Sequence, residues 1–225
     1  MTVIPEPPIF SARVGLRLLR TEPVRAILAA VATAPMRVSD LCARMMLESD
    51  TTLREQLDQL EEVGAIERKE DSSLSTGEFC LTPAGKDLLE VIGLAGAWLT
   101  GRPGRPLSPE SDVAWRAIAA LGDGWELSLI QHLLLQPSTR AELLETIPSL
   151  NKEKAKRMLR RFQGAGLLEL LDRADPTPRY VLSEWGRQAV AVLIAIASWE
   201  RTYLGDAAEP VAAIDGTIAL LAPFP

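Results

Sequence analysis

Residues 151–170 read NKEKAKRMLRRFQGAGLLEL. The first thirteen positions hold six Lys or Arg and one acid, Glu153, in a chain whose formal net charge is −6 and whose pI is near 5.0. Ala155, Met158, Leu159, Phe162 and Ala165 recur at i, i+3, i+4, i+7 and i+10, the stripe that an amphipathic helix buries. Gly166 follows as a helix-ending glycine, and Leu167 to Leu171 turns β-like. All six cations fall off the apolar stripe, so the helix is expected to present them to solvent.

The neighbouring segments set this helix in a pattern. DVAWRAIAAL (112–121) places Val113, Ile118 and Leu121 at helical spacing, and Trp125 to Leu135 is a second apolar helix stopped near Pro137. Ser138 or Thr139 can cap a short helix running to about Thr146, with Glu142 in its first turn. After the basic helix and its strand, DRADPTP is a turn, RYVL (179–182) a second strand, and Ser183 starts a long helix through Trp199. Helix, helix, short turn, helix and a two-stranded hairpin make a winged helix-turn-helix, in which the basic helix takes the recognition position.

The pattern occurs twice. At an offset of 102, Pro35, Leu41, Leu57 and Gly64 match Pro137, Leu143, Leu159 and Gly166. One residue is then lost from a loop, and Leu81, Thr82, Gly85, Lys86 and Trp98 match Leu182, Ser183, Gly186, Arg187 and Trp199. In the first copy the order runs Val38–Met45, Asp50–Val63, a hairpin of Ala65–Glu70 with Glu78–Leu81, and a last helix from Thr82 to Trp98. The chain is therefore expected to be mainly α with small β-hairpin wings, as two tandem winged helix-turn-helix domains. Residues 1–99 form the first, 112–204 the second, and the Pro-, Gly- and Ser-rich 100–111 the linker. Residues 205–225 are a tail too apolar to hang free, expected to dock on the body or on a partner.

Composition narrows the function classes. The 225 residues are 47% apolar and 24% charged, a globular balance. Residues 1–107 and 108–225 each carry a net −3, so the basic helix is a local anomaly. Cys42 and Cys80 form no C-x-x-C pair and are expected to be buried small apolar residues. His132 is the one histidine, which excludes most hydrolytic triads and multi-His metal sites and reads as structural. No phosphate-binding Gly loop or H-E-x-x-H is present, so neither an enzyme nor a cofactor is indicated. Trp115, Trp125 and Trp185 read as core, with the walls of an apolar ligand pocket as the other reading. The N-terminus has no signal-peptide pattern, and the longest apolar run, 189–199, falls short of a membrane span. A soluble cytoplasmic protein follows as the expectation.

The second copy resembles the HxlR-type branch of bacterial winged-helix regulators, near the MarR group. The matching stretches are GDGWELSLIQHLLLQ (122–136), AELL (141–144), LNKEKAKRMLRRFQGAGLLEL (150–170) and YVLSEWGRQAVAVLIAIASW (180–199), with Trp125, Leu159, Phe162, Gly166, Leu167, Tyr180, Leu182, Ser183, Gly186 and Trp199 at the family's characteristic positions. The resemblance implies a nucleoid-associated transcriptional regulator that binds double-stranded DNA, and final helices that build a dimer interface. Two features depart from it. Thr139-Arg140 stands where an Arg-Phe pair is usual, and no Cys lies near the N-terminus, so thiol sensing is not implied. Typical members also carry one module and form homodimers.

DNA carries one negative charge per ~1.7 Å of axis, so a binding surface needs clustered cations on an element that fits the major groove. Lys152, Lys156 and Arg160 lie on one row of the basic helix, with Lys154, Arg157 and Arg161 flanking it. Asn151 can cap the helix or reach a base edge, Arg140 begins the preceding helix, and Arg173 and Arg179 bracket the wing. A merely solvated basic face is the simpler alternative. The corresponding segment of the first copy, SDTTLREQLDQLEEVG (49–64), has Arg54 against Asp50, Glu55, Asp58, Glu61 and Glu62, which phosphates would repel. The first copy is thus expected to serve as a built-in dimer partner, or to bind a protein or ligand.

Leu89, Ile92 and Trp98 in one final helix, and Val190, Leu193, Ile194 and Trp199 in the other, are candidates for the interface between copies or between chains, giving a pseudo-dimer within the chain or a homodimer. A different class stays open: a protein-interaction scaffold of paired winged helices, like the kleisin partners of chromosome-condensing complexes. A ligand-sensing module with vestigial DNA contacts is the third reading, its effector unspecified.

Overall fold

The computed structural model describes residues 13–46, 51–69, 77–104, 106–109, 111–119, 121, 125–147, 150–171 and 177–205. The tail beyond Gly205, the wing arginine Arg173 and the residue Asp50 lie outside them. The first copy comprises α1 (Arg13–Arg20), α2 (Glu22–Val31), α3 (Val38–Met45), α4 (Thr51–Glu62), β1 (Ile66–Lys69), β2 (Glu78–Leu81) and α5 (Pro83–Thr100). The second comprises α6 (Asp112–Ala119), α7 (Trp125–Leu135), α8 (Arg140–Thr146), α9 (Lys152–Ala165), β3 (Leu168–Leu171), β4 (Arg179–Leu182) and α10 (Glu184–Leu204). The elements expected from periodicity are present. Residues 13–31, to which the pattern above assigns no element, add α1 and α2.

The two copies are built from the same local devices. Each hairpin is antiparallel, with Ile66 opposite Leu81 and Leu168 opposite Leu182. Each wing also bridges back to the segment before the helix-turn-helix, through Met36–Phe79 and Ser138–Tyr180. At the join between wing and last helix, the Thr82 hydroxyl donates to the Gly64 carbonyl at 2.5 Å and accepts the Gly85 N–H at 3.2 Å. Ser183 repeats this with the Gly166 carbonyl at 2.7 Å and the Gly186 N–H at 2.9 Å. Only glycine fits at the third position after the hydroxyl. A Cβ on Gly85 would lie 2.0 Å from the Ala65 carbonyl oxygen, and one on Gly186 2.2 Å from that of Leu167. The Thr/Ser-x-x-Gly repeat in the sequence is the trace of this helix cap and close approach.

One hydrophobic core runs through both copies. Its seam is α5 against α10, with α1 packed on α6 and α10. Trp98 and Trp185 stack at 4.4 Å with 7° between ring planes. The Trp98 indole donates to the Trp185 carbonyl at 2.9 Å, and the Trp185 indole donates to the Trp98 carbonyl at 2.8 Å. Trp199, the repeat mate of Trp98, donates to the carbonyl of Ala84, the repeat mate of Trp185. The pairing is reciprocal, as across a two-fold axis. Trp98, Val190, Leu193 and Trp199 are buried, and Leu89, Ile92 and Ile194 are partly buried against the same core. Trp115 and Trp185 are core residues too.

The reciprocity breaks at Glu200, whose repeat mate is the buried Leu99. The buried Glu200 carboxylate accepts the Gly15 N–H at 2.6 Å and a backbone bond from Val14, satisfying free amides in the first turn of α1. Tyr203 donates to Asp87 across the same seam, and Arg25 of α2 lies 4.0 Å over the Trp115 ring. These contacts join unlike residues of the two copies.

Two outcomes follow. Trp98→Ala removes a buried stacked ring together with its indole bond to the Trp185 carbonyl, so it should cost about 3–5 kcal/mol in denaturant unfolding; a loss under about 1 kcal/mol would contradict the packing. Burial raises the Glu200 pKa above the ordinary 4.5. A folded pKa above the unfolded one favours folding at low pH, and that contribution is lost as pH rises through the folded value. The stability of Glu200→Gln relative to the parent should therefore increase from pH 4 towards pH 7, read by thermal unfolding; parallel curves would contradict it.

Candidate nucleic-acid interface

Helix α9 is set by its ends and its buried face. Asn151 caps it, its Oδ1 accepting the Lys154 N–H at 2.9 Å, and Gly166 closes it in the left-handed conformation at φ 85°. Ala155, Met158, Leu159 and Phe162 are buried, and the helix rests on α8 and β3. Of the two roles open to Asn151, the cap is the one its carbonyl oxygen performs. Lys152, Lys156, Arg157, Arg160 and Arg161 are exposed and Lys154 is half-exposed. Among the described residues, Lys152, Lys156, Arg157, Arg160 and Arg140 form no ion pair, so their charge faces outward uncompensated. The Arg161 guanidinium lies 5.5 Å over the Phe162 ring.

Helix α8 carries a capping box: the Thr139 N–H donates to Glu142 at 2.8 Å and the Glu142 N–H to the Thr139 hydroxyl at 3.3 Å. Arg140, the first helical residue, points free of it and is exposed. Arg179 does not stand free. Its guanidinium donates to the Pro137 carbonyl and to Glu142, each at 3.1 Å, tying β4 to the start of α8. The Thr139 N–H bond, with Arg179 adding to it, holds the Glu142 carboxyl below its usual range. Sequence reasoning set Arg179 among the wing cations and missed this tie, because its partner lies 37 positions away.

Beneath this surface sits His132, buried, with Nε2 2.8 Å from the Ser138 hydroxyl. Ser138 is itself buried and bridged to Tyr180, so α7, the start of α8 and the wing meet there. The expected structural role of His132 thus has a definite form. Cys42 and Cys80 are half-buried free thiols, less enclosed than expected. Among the described residues, no His, Cys, Asp and Glu group could hold a metal, and no helix is long and apolar enough to cross a membrane.

The recognition position of the first copy has opposite chemistry. Leu53, Leu57 and Leu60 bury the inner face of α4, while Arg54, Glu55, Asp58 and Glu62 are exposed. Glu61 is taken by Arg68 of the wing at 3.6 Å. At the start of α3, Arg37 is likewise neutralised by Glu78 at 3.3 Å.

Helix-turn-helix, hairpin wing and a basic recognition helix define a winged-helix protein of the DNA-binding type. The family described as HxlR-like helix-turn-helix matches the chain twice, over residues 24–103 and 120–208, more than half of its length. The chain belongs to this family of DNA-binding transcription regulators, in a tandem form. No curated protein matches it.

The His132 environment gives a pH prediction. Desolvation lowers the His132 pKa below 6.5, with Glu142 opposing in part. Below about pH 6.5 the unfolded chain takes up a proton that the folded chain resists, so stability falls on acidification. His132→Gln should remove this component of the acid-side decline in thermal unfolding between pH 7 and pH 5. An unchanged slope would contradict the assignment.

Proposed function

We propose that the second copy reads duplex DNA with α9 in the major groove, while the first copy takes the place that a second subunit holds in single-module relatives. The observation that carries the reading is the coincidence of an unpaired cation row with the recognition position. Lys152, Lys156 and Arg160 run along the outer face of α9, with Arg157 beside them and Arg140 at the start of α8. Asn151, Lys154, Arg161 and Arg179 border this face, and Arg173 belongs to the same wing by sequence. Phosphate contacts from these cations would fix register, and residues near the start of α9 would meet base edges. Residues 112–204 are the reading unit, 100–111 the connection, and 1–99 the scaffold.

The reciprocal Trp98–Trp185 pairing and its Trp199–Ala84 mate support the second half of the reading. They give the seam the isologous character of a homodimer interface within one chain, a pseudo-dimer. Glu200 on α1 and Tyr203 on Asp87 favour unlike copies over like ones. Helix α4 then occupies the second reading position with carboxylates, which repel the backbone there. The protein would act at the nucleoid with one reading head per chain.

Five neutralised phosphates imply a log–log salt slope of about −4.5. The combined substitutions Lys152→Glu, Lys156→Glu and Arg157→Glu should abolish binding to genomic fragments in an electrophoretic mobility assay. Asp58→Lys on α4 should leave affinity equal or raise it. Equal affinity of the triple variant and the parent would refute the reading and turn attention to a protein partner for the basic helix.

A further inference from the structure

The face assigned to DNA contains a cleft larger than a phosphate needs. It lies between the start of α8, the start of α9 and the root of the wing, with a volume of ≈ 450 Å³. Small-molecule sites span about 300–1,000 Å³, whereas a phosphodiester oxygen needs only cations at a rim. The cleft is lined by the cations Arg140 and Lys152, the hydroxyl-bearing Thr177 and Tyr180, and the apolar Leu144 and Pro178. Leu144, Pro178 and Tyr180 are half-buried, so they wall the cleft instead of standing in bulk solvent.

The charged groups are available. Among the described residues, neither Arg140 nor Lys152 has an acidic partner, and the nearby Glu142 is already held by Thr139 and Arg179. The chemistry is specific to the second copy. Its repeat mates replace Arg140 by Val38, Lys152 by Asp50 and Tyr180 by Phe79. One copy thus keeps two cations and a phenol at this place, and the other keeps none of them.

We propose that this cleft binds an amphiphilic organic anion, an aromatic carboxylate in class, and that its occupant and the DNA backbone exclude each other. The guanidinium of Arg140 offers a planar fork to a carboxylate, and Lys152 a second positive charge. An aromatic body fits against Leu144, Pro178 and the Tyr180 ring. Once bound, the anion occupies Arg140 and Lys152 and adds negative charge to the face that phosphates approach. The exclusion rests on the DNA reading above; the anion site itself does not.

The test uses the full chain, calorimetry and three probes: naphthoate, its neutral alcohol analogue, and inorganic phosphate. Naphthoate should bind at one site per chain and the alcohol far more weakly. Arg140→Ala or Lys152→Ala should each weaken naphthoate binding about tenfold or more. Leu144→Ala should weaken naphthoate and leave phosphate unchanged. At nine times its dissociation constant, naphthoate should raise the apparent DNA dissociation constant about tenfold. Absence of naphthoate binding in a chain that binds DNA would overturn the proposal and leave the DNA reading intact. Binding that ignores Arg140 and Lys152, or affinity no better than that of phosphate, would overturn it too. Naphthoate binding that needs both cations, in a chain that binds no DNA, would support the site and refute the DNA reading instead.

Discussion

A buried indole N–H must have an acceptor, and three such groups meet where α5 crosses α10. Trp98, Trp185 and Trp199 all find backbone carbonyls on the opposite copy. Directional bonds in a dry seam fix one rotation and one register of the two helices, which apolar packing alone would leave loose. Everything that faces outward inherits this geometry. Helix α9 and helix α4 are both held by wings attached to the ends of these same long helices, so the seam sets where the basic face and the acidic face stand. Glu200 then ties α1 down across the seam, with no equivalent on the other side.

Much of this was legible in the sequence because the repeat samples each local device twice. The Thr82-x-x-Gly85 and Ser183-x-x-Gly186 pairs mark a helix cap and a close backbone approach, and both are needed wherever a wing turns into a long helix. The apolar stripe of α9 could be read at once, since its buried residues follow a single period. Helix α1 was not legible. Part of its first turn is satisfied by a carboxylate 185 positions away, that of Glu200 on the Gly15 N–H, which no local pattern announces. The tryptophan pairing was half legible: register showed that Trp98 and Trp199 correspond, but nothing local shows that each bonds the other copy's chain.

The candidate site follows the same division. The cation row on α9 could be placed from periodicity, because exposure on a helix follows from what the other face buries. Which cations are free could not. Arg179 looks like a wing cation in the sequence and is an internal tie in the fold, joined to Glu142 and Pro137. The cleft between Arg140, Lys152 and Tyr180 was also invisible, since three separate elements supply it. Fold symmetry and charge asymmetry therefore come from different layers of the chain. Buried mates such as Leu57 and Leu159 keep the two copies alike apart from breaks such as Leu99 and Glu200, while exposed positions on α4 and α9 have diverged in sign.

The central claim is that one chain carries one reading head on a two-copy frame. Hydroxyl-radical footprinting of a complex shown by mass to hold one chain per duplex tests it most directly. The account predicts strong protection confined to a single major-groove segment with its flanking phosphates. Two equally protected segments about 10 base pairs apart, one for each copy, would contradict it.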